Sequence, residues 1–395
     1  MLLTYGALFW AVRQVFVDPA LAKVLIAILV ASGFVMALVM IGHKFSGEDK
    51  LLWIRKARVE IVSAGPFVNR NNYAAYINLV FPITLALGAH CHSRCPQYNP
   101  QATVSQSHPS YLIYFMAAVM VGSVFFSGSR AGMIICSGLA GAWIIKTVSA
   151  LIRRGRQSQS LSLVRLLVPF GLIVLILAAV LASLGIEHIA AQTARIQTTL
   201  SELTIHNGRM DSYRGTLAMF FDHWLYGSGA SAFSSLFPFY QPPSVEGWWL
   251  YAHSDWLQWL AELGVVGSML VFFVLCSLCF FPAKNIRVDP CSSMANVIGS
   301  PADPRPSANN FQSSIFNFRF PLFLSLLGVC LHAFVDFPMH IPGIAITAVA
   351  FLALLSARMD VASCVSRDEH RFRNGPGILT QRHEDAKPAV LSVFA

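Results

Sequence analysis

Apolar residues along this chain form long unbroken runs that are separated by short polar joints. The clearest runs lie at about 21–41, 73–89, 111–127, 131–152, 163–185, 264–283, 320–340 and 342–357, with a weaker run at 1–17. A helix needs about 20 predominantly apolar residues to cross the hydrocarbon core of a bilayer. The pattern therefore predicts an all-α polytopic integral membrane protein with roughly eight transmembrane helices. No strand pattern or internal repeat stands out.

The polar stretches between these runs divide the chain. We expect N-terminal membrane segments and a juxtamembrane loop at 1–64, and a membrane domain at 65–357. Within that domain, one long extracytoplasmic loop is predicted between about 186 and 262. A joint at 284–319 is rich in Pro, Ser and Asn, and we expect it, like a tail at 358–395, to be mobile and cytoplasmic.

Composition supports a membrane protein and argues against a nucleic-acid-binding one. Hydrophobic residues make up 55% of the chain and charged residues only 12%, whereas soluble domains carry about 25% charged residues. The net charge is +9, but the basic residues lie mainly in the joints, where they orient a membrane protein. The joint at 146–165 contains five basic residues and no acid, so we place it in the cytoplasm and the 186–262 loop outside.

One segment conflicts with this orientation. The region 42–72 is strongly basic, yet the order of the crossings places it outside. Two explanations stay open: the region lies along the membrane surface as an amphipathic helix, or the first crossing is misplaced.

The eight cysteines do not predict a disulfide framework. Half of them, Cys136, Cys276, Cys279 and Cys330, lie inside apolar runs, where cysteine behaves as a small hydrophobic residue. The cluster at 90–95 contains two histidines and two cysteines, but its spacing matches no zinc pattern well. We therefore predict no metal site.

The predicted topology gathers polar side chains at the outer face. Ionisable groups at membrane depth are costly and usually mark a site or a pathway. His332, Asp336 and His340 are spaced to lie on one stripe of a single helix. The other members of the set are Asn69, Arg70, Asn71, Asn72, Arg130, Arg209 and His253.

Four stretches give the chain a family resemblance. They lie at 65–74, 127–132, 209–264 and 332–338. In their order and membrane placement they resemble the O-antigen ligase family of bacterial membrane glycan ligases, whose relatives include O-antigen polymerases and protein O-oligosaccharyltransferases. The chain has Trp224 where the family often has proline, and Ser254 where it often has asparagine.

The resemblance implies transfer of a glycan from undecaprenyl diphosphate to an acceptor hydroxyl, on lipid A core or a similar acceptor. It implies no cofactor and no metal, and it places the protein in the bacterial inner membrane. Arginine binds phosphate oxygens in two places and stays charged, and histidine is a general base near neutral pH. We therefore predict catalytic roles for His253, Arg209 and Arg130. Substrate contacts are predicted for Arg70, Asn69, Asn71, Asp336 and Trp249.

Most of these residues also have a structural interpretation. His253 could anchor the helix that begins near Ser254, and Asn69, Asn71 and Asn72 could cap a helix. Arg209 could pair with an acid in the loop, and Tyr213 could hold its side chain. Asp336 and His332 could form an internal hydrogen-bonded pair, and Gly227 and Gly229 could simply form a turn. Arg130 could be a turn residue whose apolar stem lies along the helices while its charge reaches the membrane surface.

Functions outside this reaction also stay open. A polymerase of O-antigen or exopolysaccharide and a protein O-oligosaccharyltransferase would use the same donor with another acceptor. A transporter would line a cavity at the membrane midplane, and it usually shows matched broken-helix repeats, which the sequence lacks. A non-enzymatic scaffold would not need an arginine and a histidine in one loop.

Overall fold

The computed structural model describes residues 2–15, 19–46, 50–56, 67–94, 109–155, 208–243, 247–280 and 318–356. The predicted crossing at 163–185, the tail at 358–395 and nearly all of the joint at 284–319 lie outside these residues, as do residues 186–207 of the long loop.

Helices dominate the described residues. They are α1 (Leu2–Val15), α2 (Pro19–Ser46), α3 (Arg70–Arg94), α4 (Pro109–Ser127), α5 (Arg130–Gly155), α6 (Gly208–Asp222), α7 (Phe233–Tyr240), α8 (Asp255–Phe280), α9 (Arg319–His332) and α10 (Pro342–Ser356). A hairpin of two very short antiparallel strands, β1 (Lys50–Leu51) and β2 (Arg55–Lys56), follows α2.

Five of the described helices are long and apolar enough to cross a membrane. These candidate spans are Leu21–Ser46, Arg70–Cys91, Ser110–Ser127, Arg130–Ala150 and Asp255–Leu278. The apolar helices α9 and α10 are shorter. The predicted helical, multi-pass membrane architecture is confirmed at this level, and the number of eight crossings stays a prediction.

Helix α3 lies at the centre of the main core. Every residue from 71 to 86 is buried, including Pro82 within the helix. Helix α5 approaches α3 closely because it has a glycine at the contact: a Cβ on Gly132 would lie 2.4 Å from the Ala74 Cβ. The Asn78 amide crosses the same contact and donates to the Gly132 carbonyl at 3.0 Å. Small residues permit such close backbone approach between membrane helices, and here they bring the first turns of α3 and α5 together.

The predicted helical stripe of His332, Asp336 and His340 is wrong. Helix α9 ends at His332, a turn follows, and Pro338–His340 forms a single 3-10 turn. Proline removes a backbone donor and disfavours helical geometry in the residue before it. The chain therefore bends between α9 and α10, and the three residues do not lie on one helix.

In the basic region 42–72, the described residues form no separate surface helix, which was one of its two explanations. Helix α2 continues to Ser46 and the β1–β2 hairpin follows, while residues 57–66 lie outside the described part. The Phe45 and Phe126 rings are 6.0 Å apart, so the end of α2 lies beside the end of α4. The hairpin thus lies at the end of the bundle where α3 and α5 begin.

The described part of the long loop folds as a helical layer against α8. Helix α8 begins at Asp255, before the apolar run that predicted it, and its backbone breaks at Gly264. Helices α6 and α7 pack beside it around a small apolar core that consists of Met219, Phe233, Phe237, Ala252 and Ala261.

Candidate active site

The ends of several helices meet at one end of the bundle. Ser129, in the turn between α4 and α5, donates its hydroxyl to the Asn71 side-chain oxygen at 2.8 Å. Asn71 in turn lies close enough to Asp336 to act on its carboxylate. Asp336 faces His253, which lies two residues before the start of α8. These contacts join four segments that are far apart in the sequence.

His253 has an unusual backbone conformation. Its φ is +57°, which few residues other than glycine adopt and which is often found at functional sites. Tyr213 on α6 holds this conformation by donating its hydroxyl to the His253 carbonyl at 2.9 Å. On the other side, the Asp255 amide donates to the carbonyls of Ala333 and Asp336 at 2.9 and 3.1 Å. The imidazole is therefore positioned from both α6 and the turn after α9.

His253 and Asp336 form an imidazole–carboxylate pair. The His253 Nδ1 lies 3.6 Å from the Asp336 Oδ1, which is an ion-pair distance and too long for a direct hydrogen bond. The Asp336 side chain is fully buried, whereas that of His253 is 25% exposed. Since Nδ1 faces the carboxylate, Nε2 is the ring nitrogen that points away from it. A carboxylate in this position stabilises the imidazolium that forms when histidine takes up a proton.

The Asp336 carboxylate is held in its charged form. Burial by itself raises the pKa of Asp336, but the His253 ring, the Arg209 guanidinium and the Asn71 side chain together bring it below its ordinary value. The Phe337 amide also donates to Oδ1 at 3.0 Å. Asp336 thus carries a negative charge at neutral pH.

Arg209 lies at the first turn of α6 and is exposed. Its charge acts on Asp336 and on Tyr213, so it lies on the same side as His253. The acid Asp211 forms an ion pair with Arg214 at 3.0 Å, and Tyr213 donates to the His253 carbonyl. Arg209 is an exposed cation on the same side as the imidazole pair.

The other predicted residues occupy the neighbouring helix starts. Asn69 caps α3, because its side-chain oxygen accepts from the Asn71 amide at 2.8 Å, and this confirms its structural interpretation. Arg70 begins α3 and reaches toward the next turn: its Nη1 lies 4.0 Å from the place of a Cβ on Gly128. Arg130 begins α5, directly after Ser129. The structure therefore places Arg70 and Arg130 at the two helix starts joined by the Asn71–Ser129 hydrogen bond.

Aromatic rings surround the imidazole. The Trp249 and Phe337 rings each lie 5.1 Å from that of His253 in T-shaped contacts. The Tyr251 ring stacks on Phe337 at 4.5 Å. Trp249, predicted as a substrate contact, thus forms part of the wall beside His253. Aromatic faces of this kind also stack on sugar rings.

A second imidazole–carboxylate pair lies beside the first. Asp255 accepts from the Met339 amide at 2.8 Å and hydrogen-bonds the His340 ring. Gln258 lies 3.3 Å from the His340 Nε2 and donates to Glu262 at 3.0 Å. This network joins the buried side of α8 to the 3-10 turn.

Glu262 organises the segment that carries the glycines. Its carboxylate accepts from the backbone amides of Ser231 and Phe233, at 2.9 and 3.2 Å, and so caps α7. Gly227 and Gly229 have φ values of +76° and +109°, which confirms that they form a turn. A Cβ on Gly227 would lie 2.2 Å from the Glu262 carbonyl. The turn and the break in α8 therefore pack directly against each other.

Sequence reasoning missed several of these contacts. The predicted site did not include Asp255 or Glu262, although their spacing with Gln258 marks a polar stripe in an apolar helix. The structural alternative for Asp336 was a hydrogen bond to His332, whereas the structure pairs Asp336 with His253. Both ring nitrogens of the buried His332 lack a hydrogen-bond partner among the described residues. Among those residues, no group of three or more His, Cys, Asp or Glu side chains is arranged to bind a metal.

Comparison with known proteins gives a family match. No curated protein and no solved structure matches the chain. Residues 115–272 match the family model described as O-antigen ligase. The matched segment contains Arg130, Arg209 and His253, and the resemblance to the O-antigen ligase family is thereby confirmed over residues 115–272.

Proposed function

We propose that this protein transfers a glycan from undecaprenyl diphosphate to an acceptor hydroxyl at the outer face of the bacterial inner membrane. The observation that carries the proposal is the His253–Asp336 pair with the exposed Arg209 beside it. The family match supports a glycan transferase of the ligase or polymerase type. The donor, the acceptor and the roles of single residues are the further steps of this proposal.

In the proposed reaction, the acceptor hydroxyl attacks the anomeric carbon of the sugar that is linked to the diphosphate. His253 takes the hydroxyl proton through Nε2, and Asp336 stabilises the resulting imidazolium. The bond from the anomeric carbon to the new oxygen forms as its bond to the phosphate oxygen breaks. The lipid diphosphate then leaves with the bonding electron pair.

The leaving diphosphate gains negative charge, and stabilising such charge is usually the largest catalytic term. Arg209 suits this task because it is exposed, lies beside the imidazole and can bind phosphate oxygens with two parallel hydrogen bonds. Arg130 and Arg70, at the starts of α5 and α3, are the second and third phosphate ligands in the proposal. Asn71 and Trp249 are proposed to contact the glycan.

The positions of the polar groups favour an enzyme over a transporter. Asn71, Arg130, Arg209 and His253 lie at or next to helix starts at one end of the described bundle. A transporter would be expected to place its polar site near the membrane midplane.

The first test is glycan transfer in a Gram-negative strain that lacks its own ligase. The strain would express this chain, its His253→Gln variant or a His223→Gln control, with lipopolysaccharide analysed on gels and membrane levels of each protein measured. His223 lies in the turn after α6, near Tyr240, outside the proposed site. We expect a glycan ladder from the wild type and the control, and a reduction of about 10²–10⁴-fold in His253→Gln.

The acceptor is tested separately. If well-expressed wild-type protein gives no ladder, purified protein would be given lipid-linked glycan with lipid A core, a second lipid-linked glycan or a serine-containing protein. Transfer to one of the last two would identify a polymerase or a protein glycosyltransferase. Equal transfer by wild type and His253→Gln at equal protein levels would contradict the proposed mechanism.

A further inference from the structure

The end of α6 and the turn that follows it expose large aromatic side chains. Phe221 is 63% exposed, Trp224 53% and Tyr226 76%. Trp224 is also the residue that stands where the family often has proline. Nothing in the proposed reaction uses these three side chains, because the catalytic groups of the loop lie at the other end of α6.

This turn is fixed to α8 at the break in that helix. The Val265 amide donates to the Trp224 carbonyl at 2.8 Å, and the Val266 amide donates to the Leu225 carbonyl at 3.1 Å. The close packing of Gly227 against Gly264 also holds the turn against α8 at this position. The aromatic turn therefore has a defined position along α8.

Helix α8 changes character at Gly264. Before the break its buried side carries Asp255, Gln258 and Glu262. After the break, residues 265–280 contain no charged side chain, and large apolar residues such as Leu270 and Phe273 are more than 60% exposed. We take this apolar surface of α8 to face lipid, since soluble proteins rarely expose large contiguous apolar patches.

Helix lengths place the edge of the hydrocarbon core near this break. Residues 265–280 would be about 24 Å long as a helix, and α4, with 19 residues, would be about 28 Å long. Both are close to the thickness of the hydrocarbon core, about 30 Å. The membrane surface on the side of the candidate site would therefore pass near Gly264 and near the turn after α4.

We propose that Phe221, Trp224 and Tyr226 form an anchor that inserts into the lipid headgroup and upper acyl region of that leaflet. Tryptophan and tyrosine favour this region because an apolar ring and a polar group are both satisfied there. Lipid, rather than a second copy of the chain, is the inferred partner because the aromatic surface is continuous with the lipid-facing half of α8.

The anchor has a consequence that rests on the proposed function. Helix α6 joins Arg209 at one end to the anchor at the other, and Tyr213 on the same helix holds the His253 carbonyl. An anchor at the membrane surface keeps this helical layer against the bilayer, where the diphosphate of a lipid-linked donor lies.

The test is photo-crosslinking of the full chain in vesicles of phosphatidylethanolamine and phosphatidylglycerol. The photoreactive residue p-benzoylphenylalanine would replace Trp224 or Tyr226 in separate variants. Phe273, on the lipid-facing half of α8, is the positive control, and the exposed polar Ser235 on α7 is the negative control. We expect lipid adducts from positions 224 and 226 at yields similar to position 273 and severalfold above position 235.

Two outcomes would overturn the anchor: lipid adducts from position 273 without adducts from 224 and 226, or adducts from 224 and 226 that join two copies of the chain. The crosslinking does not depend on glycan transfer, so the anchor and the proposed function can fail separately. As a second measurement, a fluorophore whose emission depends on polarity would be attached at position 226. Its emission should shift to the red when Trp224→Ser is introduced, and should stay unchanged with Trp224→Phe.

Discussion

His253 is the residue on which the candidate chemistry depends, and its environment explains why it can act. A positive φ at a residue other than glycine costs on the order of 1–3 kcal/mol, so other contacts must hold it. The Tyr213 hydroxyl and the adjacent Asp255 amide supply these contacts. The buried Asp336 then fixes which ring nitrogen faces inward. The part of the imidazole that is exposed is the part that an acceptor would meet.

Asp336 gives a prediction about acid stability. Because its pKa is lower in the folded protein than in the unfolded chain, its charge stabilises the fold above the unfolded pKa of about 4. That contribution is lost as the pH falls through the lower folded value. The wild type should therefore lose thermal stability below about pH 4, and Asp336→Asn should lack this part of the loss.

Melting temperatures of both proteins in detergent, measured from pH 7 down to pH 3, would test this. The exposed Asp222, which binds Tyr240, provides the control variant Asp222→Asn. A curve for Asp336→Asn that parallels the wild type over the whole acid range would show that Asp336 carries no such charge.

At the scale of elements, the contact between the turn at 227–229 and the break in α8 fixes the position of the described part of the loop. The Ser228 and Gly229 amides donate to the Ala261 and Glu262 carbonyls at 3.1 and 2.9 Å. These carbonyls precede the break at Gly264, so the turn satisfies groups that a continuous helix would satisfy internally. The motif at 227–229 therefore has a structural role in holding the turn against α8, and the Glu262 carboxylate connects the same region to α7.

This close contact predicts that adding a single methyl group at either glycine strongly reduces folding. In Gly227→Ala and Gly264→Ala the new Cβ would lie 2.2 and 2.4 Å from backbone atoms. Both positions also have positive φ, which costs an L-residue roughly 1–2 kcal/mol before any clash. We expect both variants to lose most of their folded yield in size-exclusion chromatography in detergent.

Gly141 is the matched control, because a Cβ there has nothing within 4 Å and its helix gains from alanine. Gly141→Ala should fold as well as the wild type. Normal yield and melting temperature for Gly227→Ala would contradict the close contact between the turn and α8.

For the whole molecule, the two imidazole–carboxylate pairs connect parts of the chain that only the fold brings together. Asp255, at the start of α8, binds both Met339 and His340. The same helix start is held by backbone bonds to the turn after α9. The end of the bundle that carries the candidate site is therefore stabilised by contacts between α8 and the segment linking α9 to α10.

This arrangement predicts that the two pairs have different roles. Asp255→Ala leaves the Met339 amide without its acceptor, and a buried unsatisfied donor costs about 1–3 kcal/mol. We expect a lower melting temperature for Asp255→Ala, whereas His253→Ala should melt close to the wild type and lose activity. If Asp255→Ala melted like the wild type, the second pair would have no structural role.

Much of the architecture was predictable because it depends on local properties. Apolar runs predicted α2, α3, α4, α5 and α10 to within a few residues, since the length of a hydrophobic stretch alone decides whether it can span a bilayer. The run at 320–340 was predicted as one helix because most of it is apolar, but the helix ends at His332 and a turn follows before Pro338. The hairpin after α2 gave no usable sequence signal, because each of its strands has only two residues.

The sequence by itself determined the helical membrane class, the family resemblance and the set of polar residues from which a site could be built. Only the tertiary structure decided which of them pair: Asp336 with His253 rather than His332, and His340 with Asp255. The reason is physical, since a side chain's partner depends on where its helix ends and which helix start lies opposite. That information is contained in the packing of α3, α6, α8 and α9, and not in the spacing of residues along the chain.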